Sequence, residues 1–152
     1  MSPRWDVAVY DRDNKLVLVV EIKKKLGASP EWAARLRRNI FAHGSFPNAP
    51  YFLMAFPDRF YLWSDPDTLD LNTAPSYAID PRPILQPYLE PSNLVLDQIS
   101  GSSLELIVTS WLSRLILSGA SSDELDSTQR WLTDSGLYAA IEQGSLGHEV
   151  LV

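Results

Sequence analysis

A chain of 152 residues that is 45% apolar and 21% charged has side chains enough for a core of its own and the balance of a soluble globular protein. It holds no cysteine and two distant histidines, His43 and His148, which excludes disulfide staples, thiolate nucleophiles and sulfur-ligated zinc and argues against a histidine metal site. The net charge of −6 is unevenly divided: residues 1–60 carry ten Lys and Arg against six acids (+4) and residues 61–152 three against thirteen (−10), so a polyanion is expected to meet the first half.

In chain order, the first element reads as a β-hairpin: RWDVAVYD and LVLVVEIKKK around an Asp/Asn turn, with a two-residue loop at Asp13-Asn14. The longest apolar run, Leu16 to Val20, is too short to span a bilayer, and the amino end lacks a secretory pattern, so a cytoplasmic protein with no membrane association is expected. SPEWAARLRRNIFAHG then carries helix punctuation: Ser29 as N-cap, Pro30 at the first helical position, Glu31 at the positive end of the dipole and Gly44 as terminator. Trp32, Ala33, Leu36, Ile40 and Phe41 form its apolar face, and Arg35, Arg37 and Arg38 its basic surface.

PYFLMAF and RFYLW, joined by Pro57-Asp58, predict two further antiparallel strands, the first buried on both faces. Prolines crowd the stretch from Ser64 to Asn93, which reads as an extended connection with a short helix near Ile84 to Leu89. Leu104, Ile107, Val108, Trp111, Leu112, Leu115 and Ile116 keep helical spacing, and a last helix starts at a Ser121/Glu124 capping box and is interrupted by Gly136 before Leu137 to Glu142. The expected organisation is one domain over 1–152: an α/β core at 1–63, a Pro-rich connection at 64–102 and a helical region at 103–152.

The hairpin holds the chemistry. A two-residue loop pairs positions whose numbers sum to 27, which sets Asp6 opposite Glu21 with Cβ atoms about 5 Å apart, and two carboxylates that close repel unless a cation lies between them. Lys23, two residues on, shares their face, while Trp5, Val7, Val9, Leu16, Leu18, Val20 and Ile22 form a wall for packing on the other. Paired carboxylates offer the hard oxygen ligands that Mg²⁺ prefers. Such an ion can polarise a phosphodiester and lower the pKa of a bound water, while the lysine stabilises charge gathering on the phosphate or orients the attacking water.

The order Asp6, hairpin, Glu21-Ile22-Lys23, helix, strand resembles the PD-(D/E)xK superfamily of restriction-endonuclease-like nucleases over about residues 3–63. The resemblance implies a restriction-endonuclease-like mixed sheet (β-hairpin, helix, two further strands) followed by a C-terminal helical region, and a Mg²⁺- or Mn²⁺-dependent endodeoxyribonuclease-like hydrolase. It makes Asp6 and Glu21 metal ligands, with the backbone carbonyl of Ile22 as a third, and Lys23 the catalytic lysine. Arg35 or Arg38 would supply the further polar residue that members often carry on the following helix, and Lys24, Lys25, Arg35 and Arg38 would contact DNA. The family's Pro before the first acid is Trp5 here, and many members place another helix before the first strand. Its absence implies that it was lost, lies outside this chain, or comes from a homo-oligomer or partner subunit. The alternative function is a catalytically inactive nuclease-fold scaffold or interaction subunit whose acidic helical half docks a partner. A nucleotide- or RNA-directed phosphodiesterase on the same scaffold is a third.

Other patterns reduce to structure. Asp65, Asp67 and Asp70 lack the glycine and distal Glu of a calcium loop and read as a turn, and Trp111, Trp131 and Leu132 as core or oligomer contacts. His43, at a helix end, complements the dipole, and no serine-hydrolase spacing occurs.

Overall fold

The computed structural model describes residues 6–43, 49–64, 73–118 and 127–148. Trp5, Gly44, the aspartates from 65 to 70 and the Ser121/Glu124 pair lie outside them. The architecture is α/β: a six-stranded mixed sheet with helices against both faces.

β-Branched residues dominate β1 (Val7–Tyr10) and β2 (Leu16–Ile22), which pair antiparallel with Val7 opposite Val20, Ala8 opposite Val19 and Val9 opposite Leu18. This is the register expected from the sequence, reached through a different turn. Asp11 N–H bonds to the Lys15 carbonyl and Asn14 takes a left-handed φ of 64°, so the loop is longer than two residues. A bulge restores the register: Tyr10 faces Leu16, and Val17 is left over. The one-residue offset reverses the faces near the turn, so Leu16 packs with Tyr10 on the α1 side of the sheet, and Val17 joins the opposite core in its place.

Helix α1 (Pro30–His43) follows, with the Ser29 hydroxyl accepting the Trp32 N–H at 3.1 Å as the N-cap. It crosses over to β3 (Tyr51–Phe56), which runs parallel to β2 with Leu18 beside Tyr51 and Glu21 beside Met54. Strand β4 (Arg59–Ser64) turns back on β3 through Pro57-Asp58, as the sequence predicts. The Pro-rich connection contains more order than its composition suggests: β5 (Tyr77–Ile79) adds to β4, and α2 runs from Arg82 to Leu89. Three residues give too short a run for periodicity to register.

Helix α3 (Gly101–Ser118) buries all seven positions chosen by spacing. Two short helices, α4 (Trp131–Asp134) and α5 (Leu137–Ile141), flank Gly136. At Gly136, φ is 83°, and a Cβ would come within 2.8 Å of the Tyr51 hydroxyl, which bonds to the neighbouring Ser135 carbonyl. The helical C-terminal region expected from the sequence also holds a strand, β6 (Ser145–His148), which pairs antiparallel with β1 and completes the order β5-β4-β3-β2-β1-β6. Ser-Leu-Gly-His has neither branched residues nor alternation, and Gly147 serves close approach to the Tyr10 ring.

The layers divide the core. Val7, Val9, Leu18, Val20 and Leu53 pack against α2 to α5, and Ala8, Val19, Phe52, Met54 and Trp63 against α1. Each large side chain fully buried in either layer stabilises the fold by roughly 1.5–3 kcal/mol.

Candidate active site

Three chain segments meet at one end of the sheet: β1 begins there, and the parallel strands β2 and β3 end there. One step beyond the Val7–Val20 pair, Asp6 and Glu21 are brought together. Asp6 Oδ2 accepts the main-chain N–H of Ile22 at 2.6 Å, and the next N–H, of Lys23, turns to the Ala55 carbonyl at 3.0 Å. Consecutive donors thus anchor the end of β2 to both neighbours. The N–H and C=O of one extended residue leave on the same side, so the Ile22 carbonyl is directed toward the β1 side, where Asp6 lies.

Glu21 is 6% exposed, on the sheet face covered by α1, opposite the face covered by the C-terminal helices. Its Oε2 lies 4.0 Å from Lys23 Nζ, a loose ion pair, and its Oε1 is buried without a hydrogen-bond partner. Burial pushes the Glu21 carboxyl up to about 7, the Asp6 carboxylate adds to the rise, and the Lys23 ammonium opposes it. Lys23 remains half-exposed, reaching from the strand end to solvent.

The other basic residues expected at the site lie on the loop after Lys23 and on α1. Lys24 is exposed, and the ammonium of Lys25 lies 4.7 Å above the ring of Trp32 in the first turn of α1. Arg35 and Arg38 are exposed on α1. Arg37, read from the sequence as helix surface, is fully buried, its guanidinium 4.6 Å from the Phe41 ring centre and 5.2 Å from that of Trp63. The signal was present: Ala33, Arg37 and Phe41 are spaced by four and share the apolar face. Asp58 was also missed; its Oδ2 accepts the Gly27 N–H at 2.9 Å and fixes the loop after Lys23 against the β3–β4 turn.

Among the described residues no group of three or more His, Asp or Glu side chains converges as a metal site. The oxygen donors at the strand ends are therefore two carboxylates and a main-chain carbonyl, which can give part of a hard cation's shell and leave the rest to water or substrate. Among the described residues no helix is long and apolar enough to cross a membrane. The fold and site define an α/β protein with a carboxylate–carboxylate–lysine cluster at the ends of adjacent strands. No protein-family model, curated protein or solved structure matches the chain.

Proposed function

We propose that this chain is a metal-dependent nuclease-type domain that hydrolyses phosphodiester bonds of DNA, built on a restriction-endonuclease-like core. One observation carries the reading: Asp6 and Glu21 are held together at the strand ends, and Glu21 keeps one buried oxygen without a partner and the other 4.0 Å from Lys23 Nζ. Folding two acids together, one of them desolvated, costs free energy that a structural role does not require, and clustered perturbed carboxylates mark functional sites. The order of antiparallel hairpin, crossover helix and parallel strand supports the same arrangement.

The residues suit Mg²⁺ or Mn²⁺. Asp6, Glu21 and the Ile22 carbonyl would hold it, and when bound it supplies charge that polarises the phosphodiester and activates water for attack. The protein's own groups do the rest. The Asp6 to Ile22 hydrogen bond fixes the ligand-bearing strand ends before substrate arrives, so little rearrangement is required at the moment of reaction. Lys23, anchored by its own N–H to β3 and half-exposed, presents its ammonium where negative charge builds on the phosphate. The +4 balance of residues 1–60 attracts the polyanion to this half of the chain.

The test is cleavage of single-stranded, duplex and nicked DNA by the purified chain with Mn²⁺, beside Lys23→Ala. Cutting by the parent that is lost in the variant supports the proposal. No cutting of any form, or equal cutting by both, ends it.

A second reading, a catalytically inactive scaffold on the same fold, draws on α3, where Leu106 and Leu117 are 67% and 82% exposed. They are eleven residues apart and so share one helix face, the kind of surface a partner covers.

A further inference from the structure

Beside the carboxylate cluster a half-buried Trp rests on a buried Phe, a pair that the hydrolysis reading leaves unused. Glu21 is opposite Met54 on β3, and the next β3 residue on the same face is Phe56, about 7 Å further along the strand. The Trp32 ring packs on Phe56 at a steep angle, with 6.0 Å between centroids. Trp32 is half-buried, and Lys25, two residues after Lys23, lays its ammonium over the ring 4.7 Å from the centroid. The Asp58 to Gly27 and Tyr61 to Ala28 hydrogen bonds hold the intervening loop in place.

We infer that Trp32 is a stacking platform for an unpaired base adjoining the scissile phosphate, which makes single-stranded or frayed DNA the substrate. This deepens the nuclease reading and rests on it. Magnitudes favour the exchange: an ammonium over a half-buried indole contributes about 0.5–2 kcal/mol, and a base stacked on an aromatic side chain about 1–3 kcal/mol. A base therefore displaces Lys25 from the ring, and the released ammonium stays within reach of the neighbouring phosphate. A paired base is already stacked on both faces within its duplex and cannot reach Trp32 without being extruded.

The experiment titrates the full chain, with Ca²⁺ present, with a short oligothymidylate and with a blunt duplex of the same length, following tryptophan fluorescence. Trp63, Trp111 and Trp131 are buried, and with Trp5 replaced by Phe in the parent and in every variant a base stacking at the surface reports mainly through Trp32. Single strand is expected to quench the emission and duplex to leave it nearly unchanged. Trp32→Leu should lose the quench and bind single strand about tenfold more weakly, and Trp32→Phe, which keeps the packing on Phe56, should fall between. Equal affinity of parent and Trp32→Leu for single strand, or equal quenching by duplex, overturns the platform. Cleavage with Mn²⁺ separates the two ideas. If Trp32-dependent binding persists without any cutting, the platform is supported and the hydrolysis reading fails; if cutting persists while Trp32→Leu binds as the parent does, the platform alone fails.

Discussion

Asp6 is tied to Ile22 by a 2.6 Å hydrogen bond from the Ile22 main-chain N–H to the Asp6 carboxylate, so a proposed metal ligand also closes the end of the β1–β2 ladder. The two roles separate by substitution. Asp6→Asn keeps an acceptor for the N–H and should change stability by less than about 0.5 kcal/mol, while Asp6→Ala strands a part-buried donor and should cost about 1–2 kcal/mol in urea denaturation. Both remove the negative charge, and both should lose Mn²⁺ binding.

Glu21 makes stability depend on pH. Its folded value of about 7 lies above the ordinary 4.5, so the folded protein binds more protons than the unfolded chain between those values. The stability associated with protonated Glu21 is intact below about pH 4.5 and is lost as pH rises through 7, by roughly 3 kcal/mol in total. Metal-free Glu21→Gln should lack this slope and denature at higher urea than the parent at pH 8. Equal slopes in parent and variant would contradict the assignment.

The same two residues show what the sequence could reveal. The strand register that joins them follows from the position of an Asp/Asn turn, and it holds with a loop longer than two residues because the bulge at Val17 compensates. Leu16 takes the face opposite to the one its spacing predicts, beside Tyr10 on the α1 side. Burial of Glu21 was not legible, because it depends on how α1 settles over the strand end, a tertiary fact with no local signature. Arg37 is inside because its spacing from Ala33 and Phe41 sets it on the buried face, whereas charge alone predicts solvent. Strands β5 and β6 have three and four residues and take their structure from the edges they join.

Gly136 sets how the C-terminal helices meet β3. Gly136→Ala imposes an unfavourable φ of 83° and a Cβ 2.8 Å from the Tyr51 hydroxyl, and should cost about 2 kcal/mol or more. Tyr51→Phe removes the clashing oxygen, so the double variant should be less destabilised than the sum of the two single changes. A strictly additive cycle, measured by urea denaturation, would show that the close approach carries no strain.

Lys23 contributes charge to the site and little to the fold. A loose pair with a half-exposed partner is worth under about 1 kcal/mol, so Lys23→Ala should melt near the parent. Because Lys23 lowers the Glu21 value, its removal should shift the pH midpoint of stability upward. If the chain cuts DNA, the variant should be slower by about 100-fold or more at saturating substrate, the scale of losing one group that stabilises transition-state charge.

Calorimetric titration of Mn²⁺ into the parent and Glu21→Gln decides whether Asp6 and Glu21 hold a divalent cation. The parent should show one site at pH 8 that is absent in the variant, and weaker binding at pH 6 with release of close to one proton, seen as heats that change with the buffer's ionisation enthalpy, because Glu21 must lose its proton to bind. No binding heat at pH 8, or the same isotherm from Glu21→Gln, would contradict such a site.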